Sequence, residues 1–317
     1  MEMKKLGNSE LSVSALCIGT WAMGSGNFWG KTDDTQCMYA IDAMIDRGVN
    51  IIDTAPGYNA GRSEILVGKA LRGKRDRMIL VTKAGVYEGP DGTPIKDGKY
   101  NSLLKQIEGS LQRLETDYVD VLLMHWPDPK TPLDESMRAL AEIKKQGKAR
   151  YIGVSNFTIG EMELAKQFCE LSVFQHPYSM VDRTQEDRAI WSHKNGMGTM
   201  SYGSLGGGIL TGFYRTLPVF SDTDARHIFY RCFDEPMFSR IMDLLKIMDR
   251  IAEAHKVTTA QVALKWNMQK PFITTAVVGV KNVQEATENC RNLDWRLNDD
   301  EEKMLDGFIS ENLQESL

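Results

Sequence analysis

The sequence has no apolar run approaching the roughly 20 residues that a membrane-crossing helix needs, so a transmembrane span is not expected. It has no basic excess either. Its 38 Lys and Arg stand against 43 Asp and Glu, a net charge of −5, which argues against the clustered positive footprint of a nucleic-acid binder. The opening "MEMKKLGNSELSVS" carries lysines but no apolar core behind them, so it does not read as a secretory signal. Cysteine is sparse: Cys17, Cys37, Cys169, Cys232 and Cys290 are odd in number, far apart and form no CxxC pair. That usage predicts reduced thiols and a cytoplasmic protein. Low-complexity tracts, charge blocks and linker-like stretches are also missing, so residues 1–317 are expected to form one domain.

What is present is a regular alternation. Eight β-rich apolar segments can be read: "VSALCIGTW", "NIIDTA", "MILVTKA", "VDVLLMH", "ARYIGVSN", "SVFQHPY", "GTMSYGSL" and "ITTAVVGV". Amphipathic helical patterns lie between them, among them "DDTQCMYAIDAMIDRG" with Asp33 or Asp34 as N-cap and Gly48 past its end. Pro132 before and Gly147 after "LDESMRALAEIKKQ" give the asymmetry typical of a helix. Near-continuous hydrophobic strands joined by helices imply a parallel sheet covered on both faces. Eight such units predict an α/β fold, a (β/α)8 TIM barrel. The alternative, an open doubly wound sheet, is disfavoured because no glycine-rich turn follows the first strand with an acid about 20 residues later. Two additions are expected: an N-terminal hairpin turning at Gly7-Asn8 to cap one end, and a long insertion between strands 7 and 8, roughly Thr211 to Pro271.

In such a barrel the strand ends converge on one mouth, where active sites lie. Strand 1 ends at Gly19-Thr20-Trp21, strand 2 at Asp53, strand 3 at Lys83 and strand 4 at His125. Strand 5 ends at Ser155-Asn156, strand 6 at Gln175, strand 7 carries Tyr202 and Ser204, and strand 8 runs into Gly279 and Lys281. Singly, each has an ordinary structural explanation as a turn former, a solvated end or a core polar group. An acid, a lysine and a histidine closing three neighbouring strands are costly inside a barrel unless they pair. With Tyr58 on the loop leaving strand 2, the group points to proton transfer. Asp53 would hold Lys83 charged, and the ammonium would lower the pKa of Tyr58 from about 10. A metal-dependent hydrolase would need several converging histidines. Only His125 ends a strand with certainty, while His176 reads as structural and His193, His227 and His255 fall in helices or the insertion.

Asp53 and Tyr58 in "DTAPGY", Lys83 in "VTKAG" and His125 in "LLMHWPDP" together resemble the catalytic tetrad of the aldo-keto reductase superfamily. "GKARYIGVSNF" is similar to that family's nicotinamide-contacting segment and "VVGVKNVQEATENC" to its adenosine-binding segment. "GGGILTGFY" and the insertion resemble the bacterial branch that includes potassium-channel β-subunit-like and inositol-operon reductase-like proteins. The resemblance implies a barrel that reduces an aldehyde or ketone, or runs the reverse reaction, with NADP(H) favoured and NAD(H) possible as cofactor. It implies that Ser155, Asn156 and Gln175 hold the nicotinamide amide, that Tyr202 stacks on its ring, and that Gly19, Thr20, Trp21 and Asp53 border it. Ser204, Leu205, Gly206, Gly208 and Leu210 would approach the pyrophosphate. Gly279, Lys281, Glu285, Glu288 and Asn289 would surround the adenosine.

This chain departs from the branch in two places. Phe213 stands where relatives carry a pyrophosphate lysine, with Arg215 a possible substitute, and Glu285 stands near the 2′-phosphate position, where a carboxylate repels phosphate. Trp21, Phe28, Trp29, Tyr87 and Trp126 are candidates for an aromatic-walled substrate pocket, with residues Arg226 to Phe233 folding over the cofactor. The expected partner is a small carbonyl compound or alcohol, with sugar and aromatic carbonyls both suited to such a pocket, and no nucleic acid or membrane. The alternative function is a nucleotide-binding regulatory subunit that senses redox state, as in the channel-associated relatives. Oligomeric state is not legible.

Overall fold

The computed structural model describes residues 1–26, 28–89, 92–291 and 293–313. The chain begins with two short antiparallel strands, β1 (Met3–Lys5) and β2 (Ser12–Ser14). Then come β3 (Leu16–Gly19), α1 (Asp34–Ile45), β4 (Ile51–Asp53), α2 (Arg62–Ala70) and β5 (Ile79–Ala84). A second small hairpin, β6 (Val86–Glu88) and β7 (Pro94–Lys96), precedes α3 (Tyr100–Leu114) and β8 (Val119–Met124). The chain continues through α4 (Leu133–Lys145), β9 (Ala149–Ser155), α5 (Ile159–Ala165), β10 (Val173–Pro177), α6 (Glu186–Lys194) and β11 (Gly198–Tyr202). After β11 follow α7 (Ala225–Phe229), α8 (Met237–His255), α9 (Thr259–Gln269), β12 (Thr275–Gly279), α10 (Val283–Cys290) and α11 (Asp299–Asn312).

Eight strands close into a parallel barrel in the order β3-β4-β5-β8-β9-β10-β11-β12 and back to β3. All eight segments expected from the sequence are its staves. Helix starts follow the local chemistry: Asp33 caps α1 by accepting from the N–H groups of Thr35 and Gln36, and Gly48 takes φ 87 beyond its end. Pro132 sits at the N-cap of α4, where its missing N–H costs nothing.

The period of two along each strand sorts the side chains into layers. Leu6, Leu11 and Val13 from the N-terminal hairpin close the floor. Cys17, Ile51, Val81, Val121, Leu123, Val173, Met200 and Val277 fill the interior above them. Their strand neighbours Ile18, Ile52, Leu80, Leu122, Ile152 and Phe174 face outward and pack on the helices. Two residues on from an interior apolar position brings Asp53 after Ile51, Lys83 after Val81, His125 after Leu123 and Gln175 after Val173. The polar strand ends therefore form the top layer of a barrel plugged with hydrocarbon below. A separate core joins α8, α9 and α11 through residues such as Leu245, Met248, Trp266 and Ile309, which buries the insertion against the side of the barrel. No helix among the described residues is long and apolar enough to cross a membrane.

Candidate active site

Parallel register sets Asp53 beside Gly19 and Val81, and Lys83 beside Leu123. From there Lys83 Nζ donates to both carboxylate oxygens of Asp53, each at 2.8 Å, to the Thr54 carbonyl at 2.9 Å and to Tyr58 Oη at 3.0 Å. Lys83 is 1% and Asp53 3% exposed, so the ion pair is dry and depends on this full set of bonds. Gln175, across the mouth on β10, donates its amide to Asp53 Oδ1 at 2.9 Å and fixes the carboxylate from the other side. The His125 ring stands edge-on to Tyr58 with centroids 6.0 Å apart, and its Nδ1 is buried with no partner among the described residues. The four predicted catalytic side chains thus meet at one point.

Burial outweighs the other influences on Tyr58 and pushes its phenol above the ordinary value, although the Lys83 ammonium pulls it down. This corrects the expectation that Lys83 lowers the pKa overall: the ammonium limits a rise instead of producing a fall. Lys83 itself is destabilised as a cation by burial, but Asp53 and Tyr58 more than offset this and raise its pKa, so it stays charged. His125 goes the other way. Burial, then Lys83 and Lys96, hold its imidazole well below the usual range, so it is neutral. The site at neutral pH is a neutral phenol, a charged lysine paired to an aspartate, and a neutral imidazole.

Beside this cluster stand the ends of β9, β10 and β11 and the segment after β12. Asn156 adopts φ 63 and is held on all sides. Its Nδ2 donates to the His125 carbonyl at 3.1 Å and to Ser155 Oγ at 3.0 Å, and its Oδ1 accepts from Tyr202 Oη at 2.8 Å. Tyr202 is thereby pinned with its ring at the mouth. Ser204 Oγ donates to the Val277 carbonyl at 3.2 Å. Gly206, Gly207 and Gly208 follow with φ 57, 65 and 100. Three left-handed residues without Cβ atoms form a tight turn, closed by the Gly206 N–H to Gly203 carbonyl bond of 2.8 Å and by the Gly208 and Leu210 N–H groups, which both donate to the Leu205 carbonyl at 3.0 and 3.2 Å. At the far end, Gly279 has open space where a side chain would stand. Glu285 accepts from the Lys281 N–H at 2.8 Å and from Asn282 Nδ2 at 3.1 Å, and its Oε1 lies 4.0 Å from Lys281 Nζ. Asn289 is buried, and Glu288 accepts from Gln284 at 3.1 Å. The residues expected to contact the cofactor thus lie along these strand ends, with the Asn156 amide bonded to His125, Ser155 and Tyr202 and the Gln175 amide to Asp53. Arg215 is turned away: its two terminal guanidinium nitrogens donate to Asp249 at 2.9 and 2.8 Å and its Nε to the Gly212 carbonyl at 2.7 Å, while Phe213 is 81% exposed.

The mouth is walled by rings. Trp21 packs on Tyr58 at 6.3 Å between centroids, on Phe28 at 6.1 Å, on Trp29 at 5.3 Å and on Phe229 at 5.8 Å. Tyr230 meets Trp29 at 6.4 Å and lies against Gly207, where a Cβ would touch its ring. The insertion therefore crosses the mouth through α7, tied down by the Ala225 N–H to Phe28 carbonyl bond of 2.8 Å. Trp126 is 37% exposed, with Lys96 Nζ 4.7 Å from its ring centroid. Tyr87 does not join the cluster. It lines a separate cleft with Pro56, Glu88, Lys105 and Arg113 on the outer side of the Tyr58 loop. The sequence reading missed Phe229 and Tyr230 as individual wall residues, because nothing local marks which ring of an insertion turns inward.

The sequence model of the Aldo/keto reductase family matches residues 15–310. Aldo-keto reductase YhdN of Bacillus subtilis is 31% identical over 99% of this chain and 96% of its own length. The NADH-specific methylglyoxal reductase of Escherichia coli is 30% identical over 94% of this chain and 95% of its own. Among solved structures, the glycerol dehydrogenase AKR11B4 from Gluconobacter oxydans matches with a TM-score of 0.90 at 29% identity, covering 99% of this chain and 97% of that one. An aldo/keto reductase from Klebsiella pneumoniae in complex with NADP and acetate matches with a TM-score of 0.74 at 27% identity, covering 96% and 94%.

Proposed function

This chain belongs to the aldo/keto reductase family, and on that premise we propose that it interconverts an aldehyde or ketone and its alcohol, with Tyr58 as the proton donor and acceptor. The observation that carries the reading is Tyr58 Oη at 3.0 Å from a Lys83 ammonium that Asp53 holds at 2.8 Å through both oxygens. A bound reduced nicotinamide supplies the hydride for the carbonyl carbon.

The protein's own side chains do the rest. Neutral His125 can hydrogen-bond the carbonyl oxygen and aim it at Tyr58. As negative charge gathers on that oxygen, Tyr58 gives up its proton, and the phenolate left behind sits beside the Lys83 ammonium. Asp53, steadied by Gln175, keeps that ammonium charged and in place. Proton transfer of this kind is worth about 10²- to 10⁴-fold in rate. Tyr202 would stack on the nicotinamide ring, the Gly206–Gly208 turn would lie along the pyrophosphate, and the aromatic wall would keep water from the reacting carbon.

Our reading for the nucleotide is NADP(H), with Lys281 at its phosphate. A second reading, NAD(H), is favoured by Glu285, whose carboxylate already occupies the Lys281 N–H and lies near the ammonium that a 2′-phosphate needs. The Escherichia coli relative described as NADH-specific agrees with it. Fluorescence titration with both reduced nucleotides, followed by their oxidation with methylglyoxal and 4-nitrobenzaldehyde, tests the whole proposal. Turnover of a carbonyl with either nucleotide is expected. Tight nucleotide binding without any turnover would instead favour a redox-sensing regulatory subunit. Glu285→Gln is expected to strengthen NADPH binding about tenfold relative to NADH by removing one repelling charge; an unchanged ratio removes Glu285 from the selectivity.

A further inference from the structure

The catalytic loop is held in an unfavourable shape. Directly after Tyr58, Asn59, Ala60 and Gly61 take φ 51, 52 and 80. The left-handed region suits glycine, is tolerated by asparagine and disfavours alanine. Such a run persists only where neighbours enforce it. Two contacts do so from opposite sides. Asn59 Nδ2 donates to the Met23 carbonyl at 2.6 Å and to the Trp21 carbonyl at 3.3 Å, tying the loop to the aromatic segment. Glu88 Oε2, on the β6 edge of the small hairpin, accepts the Ala60 N–H at 2.9 Å. The same strand backs the turn one residue before Tyr58, where Gly57 lies against the Val86 carbonyl and the Tyr87 backbone. Neither side chain touches the mouth's reacting groups.

We propose that Asn59 and Glu88 are positioning residues: they clamp the loop from both sides and so set where the Tyr58 hydroxyl stands against Lys83 and the substrate carbonyl. This rests on the reading of Tyr58 as the proton donor. It also gives the β6–β7 hairpin a task, as the outer jaw of the clamp.

The chemistry allows separate tests of each jaw. Glu88→Gln keeps an oxygen to accept the Ala60 N–H, whereas Glu88→Ala does not. Ala60→Gly removes the Cβ that makes the left-handed backbone unfavourable, so it should restore the loop when Glu88 is absent. Gly26→Ala attacks the inner jaw without altering it, because the new methyl collides with the Asn59 amide oxygen.

The experiment is steady-state kinetics of carbonyl reduction and alcohol oxidation for these variants, with nucleotide affinity measured in parallel and Tyr58→Phe as reference. Glu88→Ala and Gly26→Ala should each lower kcat about tenfold, as a sub-ångström displacement of a reacting group does, with KM and nucleotide Kd within about twofold. A phenol drawn off the ammonium ionises later, so the alkaline limb of the oxidation profile should move to higher pH in both. Glu88→Gln, and Glu88→Ala combined with Ala60→Gly, should return kcat to within about threefold of the parent. The clamp is overturned if Glu88→Ala keeps parental kcat and limb, or if neither rescue works. A Tyr58→Phe protein that still turns over sinks the proton-donor reading itself; an inactive Tyr58→Phe beside a normal Glu88→Ala sinks only the clamp.

Discussion

Lys83 is an ammonium buried at 1% exposure, and its charge is tolerated because Asp53, Thr54 and Tyr58 surround it. Lys83→Met leaves the Asp53 carboxylate buried with Gln175 as its remaining side-chain donor, and Asp53→Asn strips the ammonium of its counter-charge. Each is expected to cost about 3–5 kcal/mol of stability, and the double variant less than the sum, because it leaves no lone buried charge. Urea unfolding of the three proteins checks this; additive losses would contradict the pairing. The raised pKa of Tyr58 gives a pH signature. The phenol stays protonated through neutrality, so reduction should be flat from about pH 6 to 8, while oxidation, which needs the phenolate, should rise toward alkaline pH. A reduction rate falling steeply between those values would contradict a neutral donor. The tetrad was legible because charged side chains closed apolar strands. Net acidity at Tyr58 was not, since burial is a property of the assembled barrel. Nor could sequence show that Asp249 takes Arg215, or that Gln175 serves Asp53.

The elements were legible where one periodicity ran long enough to bury a face. All eight barrel strands and their crossover helices appear where alternation placed them, and the terminal hairpin sits under the barrel with Leu6 wholly buried in its floor. The β6–β7 hairpin escaped notice because its strands are three residues each, too short for a pattern. The insertion was expected to fold over the cofactor site from Arg226 to Phe233, but its polar half gave no sign that Ala225–Phe229 does so as a short helix. The floor plug makes an element-level prediction. Leu6→Ala opens a cavity beneath the interior layer and is expected to destabilise the protein by about 2–5 kcal/mol. Since the catalytic layer lies at the opposite end, kcat of the folded variant should stay within about twofold. A small shift in unfolding midpoint would show that the hairpin is only draped on the barrel.

At the scale of the molecule, one closed sheet gathers side chains far apart in sequence into a single layer. Asp53 and Gln175, 122 positions apart, share a hydrogen bond of 2.9 Å there. Below that layer the barrel is hydrocarbon, which makes every polar group above it answerable to its neighbours; over it, Trp21, Phe28 and Trp29 from the loop after β3 meet Phe229 and Tyr230 from the insertion. The account rests on the phenol at the centre of this arrangement. The most direct test is single-turnover reduction of a carbonyl by Tyr58→Phe preloaded with reduced nucleotide. We predict that hydride transfer falls by at least about 10²-fold while nucleotide affinity stays within about twofold. Transfer at the parental rate by that variant would contradict the account.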